Sequence, residues 1–423
     1  MRKLTRFCLN SKSHTVARSN PCCLALFCLA LCAPAIMKAQ TLHVLHAFSG
    51  GTDGIYPESS FSQDRAGNLY GTTNGGRGSD YGTVYELMRH DSSWIFKTLY
   101  SFHPQNDGQN PDAPVIFGPD GLLYGTTPFG GNTCSGHYCG TVYNVQPPPR
   151  ACANILCSWN ENQVYWFGLT RLNDGFVPGT GPLLFDSAGN IYGTTQGGGL
   201  TGNGTVFELS RTQGGWAENI LYNFPGEGRI ADPVAGVTFD SAGNLYGTVM
   251  RPSFGSVYEL VRNGEQWTEQ TLYTFQGGND GGYPWGGVIF DSAGNLYGTT
   301  AGLNQQPGTV FELSPQGDGT WRETVLHTFN AGGIGPKTNL AMDSAGNLYG
   351  TTQGLGGGDQ FGSVFKLTNA NGAWTFSWVY HFTNGADGSY PVGGVTVDAA
   401  GNLYGTCVSG GADGYGTAWE ITP

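Results

Sequence analysis

The sequence predicts an all-β chain folded as a seven-bladed β-propeller with four antiparallel strands per blade. Three observations carry this. The tripeptide Tyr-Gly-Thr occurs seven times, beginning at Tyr70, Tyr124, Tyr192, Tyr246, Tyr297, Tyr349 and Tyr404, with steps of 54, 68, 54, 51, 52 and 55 residues. A period of this size marks a tandem array of one supersecondary unit. Each unit is a series of short β-branched and aromatic runs between Gly, Asn, Asp and Pro clusters, and no segment shows the 3.6-residue apolar period of a helix. Finally, the chain has the matching halves of a ring closure at its two ends.

The unit from Gly286 to Phe329 shows the elements in order. Strand A is read at Gly287 to Asp291, strand B at Asn295 to Thr300, strand C at Gly308 to Leu313 and strand D at Trp321 to Phe329. Four such strands repeated around an axis form propeller blades. Between A and B stands Asp291-Ser292-Ala293-Gly294-Asn295, which recurs at 186–190, 240–244, 343–347 and 398–402. A short side-chain acceptor bonds amides two or three residues on, and Gly takes the left-handed position of the turn. One carboxylate per turn, present in blade after blade, fits a turn better than a calcium ligand. The Gly of Tyr-Gly-Thr sits inside a strand, where glycine implies a close approach. We expect a bulky strand D aromatic from a neighbouring blade over it, with the tyrosines filling the opposite face as inter-blade core.

The termini supply the closure. Thr41-Leu42-His43-Val44-Leu45-His46-Ala47-Phe48 matches a strand D without a blade, and Gly416 to Ile421 matches a strand C whose blade has no D. Pairing 42–48 with 416–421 closes the ring and hides two exposed edges.

Residues 1–39 read as a secretory signal: Arg2, Lys3, Arg6, Lys12 and Arg18 precede an apolar run from Cys22 to Met37, followed by small residues up to Ala39. Residues 40–423 are then one propeller domain. The apolar run is short for a span of roughly 20 residues, and no second one follows, so no membrane insertion of the mature chain is expected. Export, to the exterior or the periplasm, is expected. Without its leader the chain keeps 13 basic residues against 31 acidic ones. That balance disfavours nucleic acid and anionic lipid, and suits cations, neutral sugars or basic partners. No cofactor is implied, and a monomer is expected.

The units resemble the GloVer-type tandem repeat of secreted bacterial proteins, which occurs with different C-terminal surface anchors. The matching residues are the Leu-Tyr-x-Phe strand, the Asp-Gly-x-x-Pro loop (Asp280 to Pro284, Asp387 to Pro391), Gly-Asn-Leu-Tyr-Gly-Thr-Thr and Gly-Thr-Val-Phe-Glu-Leu. The resemblance covers the mature chain. It implies a propeller and export, and no established activity or catalytic residue. The chain ends at Pro423 directly after strand C, so free secretion or periplasmic residence is expected over surface attachment.

Cys134, Cys139, Cys152 and Cys157 cluster in and after the second unit. In an oxidising compartment we expect disulfides 134–139 and 152–157, each within one loop. Cys134, His137 and Cys139 are too few for a zinc site, and His43 and His46, three apart on a strand, point to opposite faces; no metal site is expected. Cys407 is read as a buried free thiol.

Candidate ligand-binding residues lie on the face shared by the D–A and B–C loops. Asp280, Tyr283, Trp285, Asp387 and Tyr390 pair carboxylates with rings, a combination that suits carbohydrate, although Asp-Gly also simply shapes a turn. Breaks in the repeat are a second group: Arg229, Arg251 and Lys337 place cations on that face, suited to a carboxylate such as a uronic acid, or to local pairing with Glu227 or Asp232. The function expected is a secreted, non-catalytic binding or scaffold propeller for a glycan or protein partner. The alternative is an extracellular hydrolase or lyase at the mouth of the central channel, which two unrepeated carboxylates in a deep pocket would favour. A purely structural envelope role is the third.

Overall fold

In the computed structural model, the described residues are 40–423 apart from 76–80, 92, 104–106, 132–138, 149–158, 169–172, 226–230, 303–306, 330–334 and 355–359. They form seven radial sheets, each antiparallel and running A-B-C-D from the central channel outward. Blade 5 is typical, with strands Ile289–Phe290, Leu296–Thr300, Thr309–Pro315 and Trp321–Thr328. In blade 7 the outermost strand is Thr41–Ala47, paired with Thr417–Thr422 from Thr41 opposite Thr422 to Ala47 opposite Thr417. The predicted closure is therefore present, extended by Phe48 N–H donating to Gly416 O at 3.0 Å.

Each letter of Tyr-Gly-Thr has one structural task. The Tyr297 hydroxyl donates to Asp291 of the A–B turn at 3.0 Å. Elsewhere the same hydroxyl also reaches a strand C glutamate, as in Tyr192 to Glu208 at 2.9 Å. The Asp291 carboxylate accepts the Ala293 and Asn295 amides at 2.8 and 2.9 Å, and Gly294 has φ +87°, so the turn reading holds. The glycine expectation needs correction. A Cβ on Gly298 would lie 2.5 Å from Cζ of Phe311, the residue directly opposite it on strand C of the same blade. Gly71 meets Tyr85 and Gly405 meets Trp419 in the same way. The ring that needs the space thus comes from the neighbouring strand of its own sheet, because direct cross-strand partners are the nearest side chains. The threonine laces blades together: Thr299 Oγ1 donates to Thr338 O of blade 6 at 3.0 Å, and Thr194 Oγ1 to Ala235 O of blade 4 at 2.8 Å.

The core lies between blades. Seven apolar clusters occupy the seven interfaces, and the one that closes the ring joins Phe61 and Leu69 of blade 1 to Phe48, Tyr404 and Ala418 of blade 7. The repeat tyrosines belong to these clusters, as expected. A fully buried Leu, Val or Phe contributes roughly 1.5–3 kcal/mol, so a ring closed by seven such layers is held mainly by inter-blade packing. Cys407 is buried and free. Among the described residues no helix is long and apolar enough to cross a membrane.

Candidate functional site

The D–A loop of every blade ends in a proline that packs against the preceding blade. A Cβ on Gly255 would lie 2.6 Å from Cδ of Pro284, and Gly255 itself has φ +89°. The residue before the proline is left-handed without being glycine at Tyr56, Asn110, Val177, Asp232, Tyr283 and Tyr390, with φ between 49° and 60°. Each such residue costs about 1–3 kcal/mol unless its surroundings hold it. They do: Tyr283 N–H donates to Phe254 O at 2.6 Å, and Tyr390 N–H to Phe361 O at 2.8 Å, both in the previous blade's B–C loop. This clamp turns the chain so that the residue after the proline points to the channel axis.

There the loops enclose a cavity of about 480 Å³. Its wall includes the residues that follow the proline in five blades: Glu58, Asp112, Trp285, Lys337 and Val392; in blades 3 and 4 the wall is made by Thr180 and Ala235, one residue further on. Ser59, Ser60 and Asn339 add hydroxyl and amide groups. The chemistry is unevenly distributed. Blades 1 and 2 carry the carboxylates; blades 5 and 6, two to three positions away around the ring, carry the indole and the ammonium.

Glu58 is held by Asn74, whose Nδ2 donates to Oε2 at 2.9 Å, and Asn74 is in turn held by Asn110 Nδ2 at 2.9 Å. Burial raises the Glu58 carboxyl above its ordinary range, against the Asn74 bond. Burial, with the Glu58 charge adding to it, pushes Asp112 up to about 7. Asp112 Oδ1 is shut off from solvent and has no hydrogen-bond partner, which a neutral carboxyl tolerates far better than a charged one. Lys337 Nζ sits 4.6 Å from the centre of the Trp285 ring, a cation–π distance. Burial lowers its basicity, and among the described residues no carboxylate pairs with it.

Of the candidates named from sequence, Lys337, Trp285 and Tyr390 line this cavity. Asp280 and Asp387 do not. Asp280 Oδ2 accepts Tyr273 Oη and Gln276 N–H at 3.0 and 2.8 Å. Asp387 accepts Tyr380 Oη, Thr383 N–H and Thr383 Oγ1 at 3.1, 2.8 and 2.6 Å. Both carboxylates are engaged in shaping their own loops. Tyr283 lies outside the wall, edge-on to Phe254 at 5.8 Å. Arg251 pairs with Asp232 at 3.7 Å, the local ion pair that the sequence offered as an alternative for it. Arg229 lies outside the described residues, as do Cys134, Cys152 and Cys157; Cys139 is buried.

Sequence reasoning missed Glu58 and Asp112. Aligning the seven loops on their proline would have exposed both, because the column after it changes from Glu58 and Asp112 to Trp285, Lys337 and Val392.

The Gloeobacter/Verrucomicrobia repeat model matches residues 35–253 and 178–419. No curated protein matches the chain. Among solved structures it is similar to a candidate 6-phosphogluconolactonase from Bacteroides fragilis, at 15% identity and a TM-score of 0.50 over 88% of this chain and 89% of that one. It is also similar to one of the same description from Bacteroides uniformis, at 14% and 0.47 over 76% and 83%. A protein of unknown function from Dyadobacter fermentans is similar at 14% and 0.44 over 91% and 100%. The first likeness speaks to the fold alone.

Proposed function

The chain belongs to the Gloeobacter/Verrucomicrobia repeat family, and we infer that it is an exported binding propeller that seats a glycan at the mouth of its central channel. The observation that carries this is the cavity of about 480 Å³ lined by the unrepeated residues after the loop prolines. Its size falls in the range of small-molecule sites, roughly 300–1,000 Å³. Trp285 offers a ring face for a sugar, and Ser59, Ser60, Thr180 and Asn339 offer donors and acceptors for hydroxyls. The basic-then-apolar segment up to Met37 supports action outside the cytoplasm.

The test is a glycan-array screen of residues 40–423. A set of bound sugars that Trp285→Ala abolishes supports the reading. A blank array, or binding indifferent to Trp285, sinks it.

The pairing of Glu58 with Asp112 favours a second reading, a glycoside hydrolase or lyase at the same cavity, in which Asp112 holds the proton and Glu58 the charge. Release of new reducing ends from the glycans that bind, lost in Asp112→Asn, separates catalysis from binding.

A further inference from the structure

We propose that the ligand of the channel mouth is a small sugar zwitterion, an amino sugar that also bears a carboxylate, with its ammonium against Glu58 and Asp112 and its carboxylate against Lys337. This rests on the channel-mouth reading above and names the ligand class for that site.

The argument starts from what the protein leaves unpaired. Ionisable groups withdrawn from water are costly without partners. Here two such sets face one cavity. On one side Asp112 has Glu58 for a neighbour, a group of its own sign; the amides of Asp112 and Ala113 bond its carboxyl, yet among the described residues Oδ1 is buried with no hydrogen-bond partner. On the other side Lys337 lies over the face of Trp285, and among the described residues no carboxylate pairs with it. A cation–π contact steadies an ammonium but does not neutralise it.

The chain contains the means to resolve both, because the two sets have opposite charge. It keeps them apart. The residue after the loop proline is Glu58 in blade 1, Asp112 in blade 2 and Lys337 in blade 6, and all three line the cavity. Among the described residues neither carboxylate forms an ion pair with Lys337. A neutral sugar satisfies neither set. A uronic acid meets Lys337 and leaves the carboxylates as they were. A plain amino sugar does the reverse. A molecule with both groups meets both sides at once, and its hydroxyls find Ser59, Ser60 and Asn339 on the walls.

Calorimetric titration of residues 40–423 with four probes tests this: muramic acid (both charges), glucosamine (ammonium only), glucuronic acid (carboxylate only) and glucose (neither). We expect muramic acid to bind at least roughly tenfold tighter than either singly charged sugar, since each charge-assisted contact is about twice as strong as a neutral one. Lys337→Met should bring muramic acid down to the level of glucosamine, and Asp112→Asn to that of glucuronic acid, both in variants whose melting curves show a folded chain. Glucose binding as tightly as muramic acid overturns the charge assignment while leaving a sugar site at the channel mouth intact. Absence of binding by all four overturns the proposal as well; the glycan array then decides separately whether the channel-mouth site itself stands.

Discussion

Strand B follows the loop proline by 12 or 13 residues in every blade, yet the two differ in what they allow. On strand B the glycine is opposed by a buried ring of strand C, and in five of the seven blades the threonine hydroxyl ends on a carbonyl of the next blade. Neither position tolerates a different side chain, so all seven copies agree. At the loop, the residue after the proline is placed by backbone: the proline seated on a glycine of the preceding blade and, in six of the seven blades, a left-handed residue before it. Its side chain enters an open cavity. Glu58, Asp112, Trp285, Lys337 and Val392 occupy equivalent places with no cost to the ring. The comparison teaches that a repeat protein writes specificity where the backbone is constrained and the side chain is not.

The strongest way to break the scaffold side of this contrast is to remove its closure. Deleting residues 41–48 exposes the strand Thr417–Thr422 along one edge and empties Phe48 from its inter-blade cluster. We expect loss of most of the roughly 5–15 kcal/mol that holds a folded domain, seen as a collapse of the melting temperature and as edge-to-edge association in size-exclusion chromatography. Next is Gly298→Ala, whose added methyl meets Phe311 at 2.5 Å. It should cost about 1–3 kcal/mol by urea denaturation, and Phe311→Leu in the same chain should restore part of that loss. Lys337→Met at the channel mouth should change stability by less than about 0.5 kcal/mol. Equal losses at Gly298 and Lys337 would erase the distinction drawn here.

The channel side has its own signature in pH. The Asp112 carboxyl titrates near 7 in the fold against about 4 in an unfolded chain. The folded state therefore holds a proton that the unfolded state has released, and stability falls as pH rises from about 4 to 7. Asp112→Asn stays neutral. It should match the wild type near pH 4 and exceed it at pH 8 by about 1–2 kcal/mol, a value discounted for the group's partial contact with solvent. An unchanged difference between the two pH values in urea melts would show that the carboxyl ionises freely. The smallest effect is expected at a turn. Asp291→Ala removes two amide acceptors and the Tyr297 contact, at about 1 kcal/mol, because the turn is solvated and repeated elsewhere.

Much of this was legible in the chain. The spacing of Tyr-Gly-Thr led directly to seven blades, and the strand at 41–48 to the closure, because both are periodic and a period survives any detail of packing. The A–B turn was legible for a related reason: Asp291, Gly294 and Asn295 act on their own backbone. The intruder over Gly298 was read as strand D of a neighbour and proved to be Phe311 of the same sheet. A glycine signals that something approaches and carries no sign of which element does so. Asp280 and Asp387 drew attention as carboxylates beside rings, but their oxygens belong to their loops. Lys337 was found as a departure from the repeat and Trp285 as a ring beside the loop carboxylates, while Glu58 and Asp112 in the same column passed unremarked.

By itself the sequence determined the blade count, the strand order and the pairing of the chain's ends, since these follow from local propensity and repetition along one dimension. Only the tertiary structure decided that residues 58, 112, 285 and 337, scattered over 280 positions, share one cavity. Closing the ring converts equal steps along the chain into angles around an axis, and angle is what sets two carboxylates across from a lysine.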